Sequence, residues 1–226
     1  MNMRYADAHL HLTDPASKGI DDDAELVFSC TASPEEWGVL SDMRDDRVVR
    51  FYGTHPWYAA KTDLEGLEDI LERDDKACVG EIGLDSKRGQ LSEQVDSFKA
   101  QLALSKKYDR IANIHMIGCE SEMLRILRES RCTCILHSFS GPESYIRPFA
   151  ECGCYFSVSP RIHNKSKDRI ASLLSSIPED RLLIETDAPN NRFEMREHIL
   201  KLSEIMSIDG DELIRVTLKN ARSLIP

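Results

Sequence analysis

The sequence predicts a (β/α)8 TIM barrel, a closed barrel of parallel strands alternating with helices, with residues 1–226 as a single domain. Three observations predict it. Eight short apolar, β-branched runs occur along the chain, helical periodicity separates most of them, and ligand-type polar residues stand near the C-terminal ends of the runs. Parallel neighbours need crossovers, and eight strands close this barrel. A doubly wound open sheet is the alternative architecture.

The candidate strands are nearly continuous apolar runs, as expected for parallel strands that are covered on both faces. In chain order they are RYADAHL (4–10), ELVFSCT (25–31), VVRFYGTH (48–55), ACVGEIG (77–83), IANIHMI (111–117), CTCILHSF (132–139), YFSVSP (155–160) and LLIETDA (182–188).

The candidate helices lie between these strands. In 33–46, Ser33 can cap the helix and Pro34 suits its first turn. In 91–109, Ser92 is the predicted cap, followed by apolar residues at three- to four-residue spacing. The segment 13–24 is Asp-rich and predicts a loop. The remaining predicted helices are 61–75, 119–130, 142–152, 165–176, 194–207 and 211–225.

Composition excludes several classes of protein. The chain is 41% hydrophobic and 30% charged, with a formal net charge of −10, and its lysines and arginines form no long basic stripe. Broad electrostatic capture of duplex DNA is therefore not expected, because that affinity comes from many neutralised phosphates. No apolar run reaches membrane-spanning length and no basic-then-apolar leader is present, so we expect a cytoplasmic protein that needs no membrane and no obligate protein partner.

The seven cysteines form no regular disulfide framework, and most fall in apolar runs. They are interpreted as buried reduced thiols that pack as small hydrophobes. The alternative is that two C-x-C pairs, Cys132 with Cys134 and Cys152 with Cys154, hold one metal ion, but this is not a usual zinc spacing.

Ligand-type residues recur near the ends of the predicted strands. In a barrel these ends meet at one mouth, so side chains distant in sequence would converge there. Four imidazoles and two carboxylates suit one or two divalent ions such as zinc, manganese, iron or cobalt. His198 is interpreted as a solvated helical residue, and His163 either as a loop residue or as a substrate contact. The strand-end residues are His9, His11, His55, Glu81, His115, His137, Glu185 and Asp187.

Seven motifs, in family order and spanning nearly the whole chain, resemble the TatD-like metal-dependent deoxyribonucleases of the amidohydrolase superfamily. They are DAHLHL (7–12), GTHPW (53–57), GEIGLD (80–85), His115 alone, HSFSG (137–141), ETDAP (185–189) and NARSLI (220–225).

The resemblance implies a two-ion site, usually with magnesium or manganese, and a role for each matched residue. One ion would be held by His9, His11, Glu81 and Asp187, and the other by Glu81, His115 and His137. Glu81 would bridge the ions and Asp187 would deprotonate the attacking water, so both are expected to be catalytic. His55, Asp85 and Glu185 would support the ligands or contact substrate.

Two departures from the family pattern concern the substrate. The arginine that commonly follows the fifth-strand histidine in H-x-R is absent, and Met116 and Ile117 follow His115 instead. The D-A-P-Y-L continuation is replaced by DAPNNRF, which contains Asn190. A guanidinium matches phosphate well, so another cation is expected to compensate. Arg161 is the best single candidate; the other candidates are Lys87, Arg88, Lys165, Lys167 and Arg192.

Three functions follow as hypotheses. The leading one is a metal-dependent phosphoesterase that acts on DNA ends, as an exonuclease, or on small phosphoesters. The second is an ester or amide hydrolase, including a D-aminoacyl-tRNA deacylase, which the acidic surface and the missing arginine mildly favour. The third is a metal-bound interaction protein without catalysis, which the completeness of the ligand set opposes.

Overall fold

The computed structural model describes residues 3–191 and 194–225, and eight strands lie there in one sheet in sequence order. Every pair of neighbours is parallel. Arg192, one of the candidate phosphate-binding cations, lies outside the described residues. The strands are β1 Tyr5–Leu10, β2 Ala24–Cys30, β3 Val48–Tyr52, β4 Cys78–Asp85, β5 Ala112–Ile117, β6 Cys134–Leu136, β7 Cys154–Val158 and β8 Leu182–Ile184.

The seam between β8 and β1 is joined just past the end of β8. Asp187 N donates to His9 O at 3.0 Å, and His11 N donates to Ala188 O at 2.8 Å. The Asp7 carboxylate accepts hydrogen bonds from Thr186 N and Oγ1 at 2.9 and 2.5 Å. The sheet is thus a nearly closed barrel, and the predicted TIM-barrel fold is confirmed.

Helices follow the strands in the expected alternation, except that the β1–β2 connection is a loop, as predicted. Short 3₁₀ turns at Pro34–Glu36, Pro56–Lys61, Glu143–Tyr145, Pro160–Asn164 and Glu179–Arg181 complete several crossovers. The helices are α1 Trp37–Asp42, α2 Leu64–Arg73, α3 Leu91–Lys107, α4 Glu120–Ser130, α5 Ile146–Glu151, α6 Lys167–Ser176, α7 Met195–Met206 and α8 Gly210–Arg222. None of these is long and apolar enough to cross a membrane.

Local capping differs from expectation at two helices. The α3 helix begins at Leu91 with Gln90 in the cap position, so the prediction that Ser92 caps it is wrong. Ser33 does precede the turn that opens with Pro34, but its hydroxyl makes no capping bond. Side-chain caps are instead made elsewhere, as by Asp63, which accepts a hydrogen bond from Gly66 N at 3.0 Å.

The apolar core has two parts. The larger cluster includes buried residues of the helices and the strands they cover, such as Phe98 and Val79. A smaller cluster draws one or more side chains from each of six strands and from α8. Its strand members include Ala6, Phe28, Phe51, Cys78, Ile135 and Leu183. The polar residues near the C-terminal ends of the strands are left to form the mouth of the barrel.

Candidate metal centre

Six predicted ligands are brought together at the mouth because parallel strands end at one face. Each comes from within a strand or from just beyond its end, and each side chain is buried. Burial of so many ionisable groups is costly unless they pair or coordinate metal. The six are His9 and His11 at β1, Glu81 on β4, His115 on β5, His137 after β6 and Asp187 after β8.

Glu81 lies at the centre of this cluster. Its Oε1 lies 2.9 Å from His115 Nδ1 and 2.9 Å from His137 Nε2. Its Oε2 lies 3.3 Å from His11 Nε2 and 3.5 Å from His9 Nε2. Burial opposes ionisation, but the surrounding imidazoles hold the pKa of Glu81 well below its usual range. An ionised carboxylate with each oxygen facing different imidazoles has the arrangement that a bridge between two ions needs.

Three sets of side chains place their ligand atoms within 4.8 Å of one another. One holds His9, His11 and Asp187, and a second holds His9, Glu81 and His137. The third joins His55, Glu81 and His115, and every member of the three sets is buried. These clusters are able to hold metal, and their nitrogen-rich donors suit borderline divalent ions.

The tautomers of His9 and His11 are set by acceptors behind them. His11 Nδ1 lies 3.1 Å from the Cys30 carbonyl oxygen, so it must carry the proton and donate. His9 Nδ1 lies 2.9 Å from Asn113 Oδ1, while the amide nitrogen of Asn113 donates to Ala8 O at 3.0 Å. Both Nε2 lone pairs are therefore directed to the cluster, as metal ligation requires.

Asn113 was missed by the sequence analysis, although a signal for it exists. It precedes His115 by two residues on β5, and side chains so spaced share a face of a strand. His115 itself has a buried Nε2 with no hydrogen-bond partner among the described residues, 3.6 Å from Asp85 Oδ2. A buried nitrogen left unpaired is costly in a finished core but expected at a site that receives a ligand.

His55 enters a metal-competent set by distance, and one of its ring nitrogens already accepts a hydrogen bond. Trp57 N donates to His55 Nδ1 at 3.1 Å, which occupies that lone pair. Burial lowers the pKa of His55, so the ring is neutral near pH 7 and carries its proton on Nε2. That nitrogen lies 3.4 Å from Glu81 Oε1, so its proton is electrostatically favourable beside the carboxylate.

Glu185 and Asp85 also contact the ligand histidines. Glu185 Oε1 lies 3.3 Å from His137 Nδ1, and its other oxygen accepts a hydrogen bond from the Ser157 hydroxyl. Burial opposes ionisation of Asp85, but hydrogen bonds, first of all from the Trp57 indole at 2.7 Å, lower its pKa. Both carboxylates thus lie within 3.6 Å of a predicted ligand histidine.

Asp187 is held by side chains that depart from the family pattern. Its backbone has φ +53°, a left-handed conformation that aspartate tolerates better than most residues. Asn190 Nδ2 donates to Oδ1 at 3.0 Å, and Asn191 Nδ2 donates to Oδ2 at 3.3 Å. Arg161 is 56% exposed and reaches Oδ2 with its Nε at 3.3 Å, so a second partner remains accessible to its guanidinium.

The close approach of β4 to β5 explains a glycine in the GEIGLD motif. Gly83 has φ +146°, and a Cβ there would lie 2.0 Å from the carbonyl oxygen of His115. Any side chain would push β5 away and displace His115. The motif therefore needs glycine at position 83 for steric reasons.

The expectation for His198 is wrong. This residue is fully buried on α7, where Nε2 donates to Val158 O at 2.8 Å and Nδ1 accepts from His163 Nε2 at 2.9 Å. The surrounding helical segment is polar, so the sequence pattern did not indicate that His198 faces inward. His163 packs against His198 outside the metal-competent sets. The cysteines are free thiols, and the described residues form no metal-competent set that includes one.

The sequence is similar to a known family and to several curated proteins. The family model described as TatD related DNase matches residues 6–226. "Deoxyribonuclease TATDN3" of Homo sapiens is 26% identical over 259 residues, covering 97% of this chain and 94% of the relative. An "uncharacterized metal-dependent hydrolase" of Haemophilus influenzae is 26% identical over 215 residues, covering 83% and 82%.

Solved structures give the same result for the fold. The TatD homologue YJJV of Escherichia coli K12 superposes with a TM-score of 0.86 at 26% identity, covering 100% of this chain and 99% of that one. A TatD family hydrolase of Entamoeba histolytica has a TM-score of 0.79 at 18% identity, covering 100% and 99%.

Proposed function

Since this chain belongs to the TatD related DNase family of metal-dependent hydrolases, we propose that it cleaves phosphodiesters, most readily at DNA ends, in one domain spanning residues 1–226. The observation that carries the proposal is the position of Glu81 between two groups of imidazoles. We infer that Glu81 bridges two ions, one of them shared with His115 and His137. The imidazole-rich donor set favours manganese or zinc over magnesium.

The residues of the site have separate roles in this reaction. Divalent ions, when bound, would lower the pKa of water and neutralise charge on the attacked phosphate. Asp187 accepts the proton of the attacking water, and donors from Asn190 and Asn191 keep its carboxylate in position. Arg161, the exposed cation beside Asp187, binds a phosphate oxygen in place of the missing H-x-R arginine.

The test compares three substrates with manganese present: labelled single-stranded DNA, a chromogenic phosphodiester and an acylated tRNA. We expect cleavage of the first two, with loss of activity in Glu81→Gln and Asp187→Asn. Glu129→Gln, an exposed carboxylate of α4 paired with Arg125, is the matched control and should resemble the wild type.

The outcomes separate the alternatives. Cleavage of the acylated tRNA alone would replace the phosphodiesterase proposal with an acyl hydrolase. A wild-type protein that binds manganese but is inert on every substrate would leave only an interaction protein. Activity that survives Glu81→Gln would contradict the proposed bridge.

A further inference from the structure

Two aromatic side chains lie exposed beside the buried metal-competent clusters. Trp57 is 44% exposed and Tyr58 is 41% exposed, and among residues 3–191 and 194–225 no other aromatic side chain is classed as exposed. Both belong to the turn that follows β3 and begins beside His55. Exposed aromatic surface is costly in water, so its concentration at the mouth indicates a binding role.

The Trp57 ring is held in one orientation. Its indole nitrogen donates to Asp85 Oδ2 at 2.7 Å, and Asp85 is buried and further fixed by a bond from Lys87 N at 2.9 Å. The ring meets His55 edge-on, with centroids 4.8 Å apart, and its centroid lies 6.3 Å from that of His115. The exposed Trp57 ring therefore lies in direct contact range of two histidines of the cluster, His55 and His115.

Arg88 covers one face of this ring. Its guanidinium carbon lies 3.8 Å from the Trp57 ring centroid, within cation–π distance. Arg88 is exposed, and within the described part of the chain no carboxylate pairs with it. A similar pair lies next to it, since Lys61 Nζ lies 5.6 Å from the Tyr58 ring centroid. Aromatic rings with cations over them are suited to a flat, π-rich group attached to a phosphate.

We propose that Trp57 and Arg88 form a nucleobase subsite that stacks the base next to the phosphodiester being cleaved. The inference rests on the proposed function and extends it, because it names the residues that hold a base beside the cleaved bond. Bases of a duplex are stacked on each other and cannot reach the ring, whereas every base of a single strand offers a π-face. The subsite selects for a base and not for a particular sequence.

Binding without cleavage tests the subsite directly. The probes are a labelled oligothymidylate and a tetrahydrofuran abasic strand of equal length, measured by fluorescence anisotropy with full-length protein in a chelator. Wild type should bind the oligothymidylate about tenfold more tightly than the abasic strand. Equal dissociation constants for the two probes would overturn the proposal.

Two replacements of Trp57 separate stacking from support of Asp85. Trp57→Phe and Trp57→Leu both remove the indole N–H, but only Trp57→Phe keeps a ring. We expect Trp57→Phe to retain most of the base preference and Trp57→Leu to lose it. Equal loss in both variants would assign Trp57 to Asp85 positioning and overturn the stacking role.

Arg88→Lys keeps the charge but removes the guanidinium plane, and should reduce the base preference severalfold. Arg147→Gln, at an exposed arginine of α5, is the control.

With manganese, Trp57→Leu should raise KM for the oligonucleotide more than KM for a chromogenic phosphodiester. Base preference in a protein that cleaves no phosphodiester would contradict the proposed function and support the subsite. Cleavage without base preference would support the proposed function and contradict the subsite.

Discussion

Buried histidines occur in two regions of this molecule and have opposite environments. At the mouth, His9 and His11 donate from Nδ1 to acceptors behind them and leave Nε2 free to face Glu81. Behind the mouth, His198 uses both nitrogens, one for the Val158 carbonyl and the other for His163. His9 and His198 are equally buried, but His198 already uses both ring nitrogens in hydrogen bonds, whereas His9 keeps one for the cluster.

The difference teaches that burial of a histidine does not identify a site. The direction of its remaining lone pair does, and a nearby acceptor fixes that direction. Burial lowers the pKa of His198 to about 4, so this ring stays neutral and serves as a structural hydrogen-bonding group.

The largest expected effect separates the two regions by metal binding. His11→Gln should weaken zinc or manganese binding on the order of 10²- to 10³-fold, because binding free energies of roughly 10–16 kcal/mol are shared among about four ligands. His163→Gln should leave the affinity unchanged. Isothermal titration of both variants checks this, and equal losses would remove the distinction between the two regions.

The next effect concerns stability and pH. The folded-state pKa of His198 lies below its unfolded value, so the unfolded chain binds protons first as the pH falls. Its contribution to stability is complete above about pH 6.5 and is lost as the pH falls toward 4, on the order of 3 kcal/mol.

Urea unfolding of wild type and His198→Gln between pH 7 and about pH 4 isolates this contribution, because other groups titrate in both proteins. The stability difference between the proteins should shrink as the pH falls. A difference that stays constant would show that His198 does not remain neutral in the folded protein.

A smaller effect is expected for the carboxylate behind a ligand. Glu185→Gln keeps the shape of the side chain but weakens its hold on His137, and such supporting residues typically alter metal affinity 10- to 100-fold. The loss should appear in manganese titration while thermal stability stays close to that of wild type. An unchanged affinity would show that Glu185 accepts a hydrogen bond from Ser157 but does not support metal binding through His137.

Arg161→Ala should have the smallest effect. The side chain is largely exposed, so water screens its contact with a substrate phosphate as it screens other exposed charge pairs. Such pairs contribute about 0.2–1 kcal/mol, which corresponds to a loss of up to about fivefold in kcat/KM. Steady-state kinetics on a phosphodiester measure it. Unchanged KM and kcat would contradict the assignment of Arg161 to phosphate binding.

Much of the fold could be read from the chain because local patterns agree with the global structure. Eight apolar runs with crossovers between them imply a parallel barrel, and its topology makes polar strand ends converge. The strands and most helices lie where the patterns place them. Helix starts were less predictable: α3 begins one residue before the expected cap, since the energy of one hydroxyl cap is small beside that of tertiary packing.

The sequence by itself determined the barrel, the family and the candidate ligands, because residue type, spacing and order carry that information. Only the tertiary structure decided what each polar side chain faces. It turned His198 inward, placed Asn113 behind His9, brought His55 within 3.4 Å of Glu81 and left Trp57 exposed beside the cluster. The physical reason is that lone-pair direction and exposure depend on contacts between residues far apart in the chain, which no local pattern records.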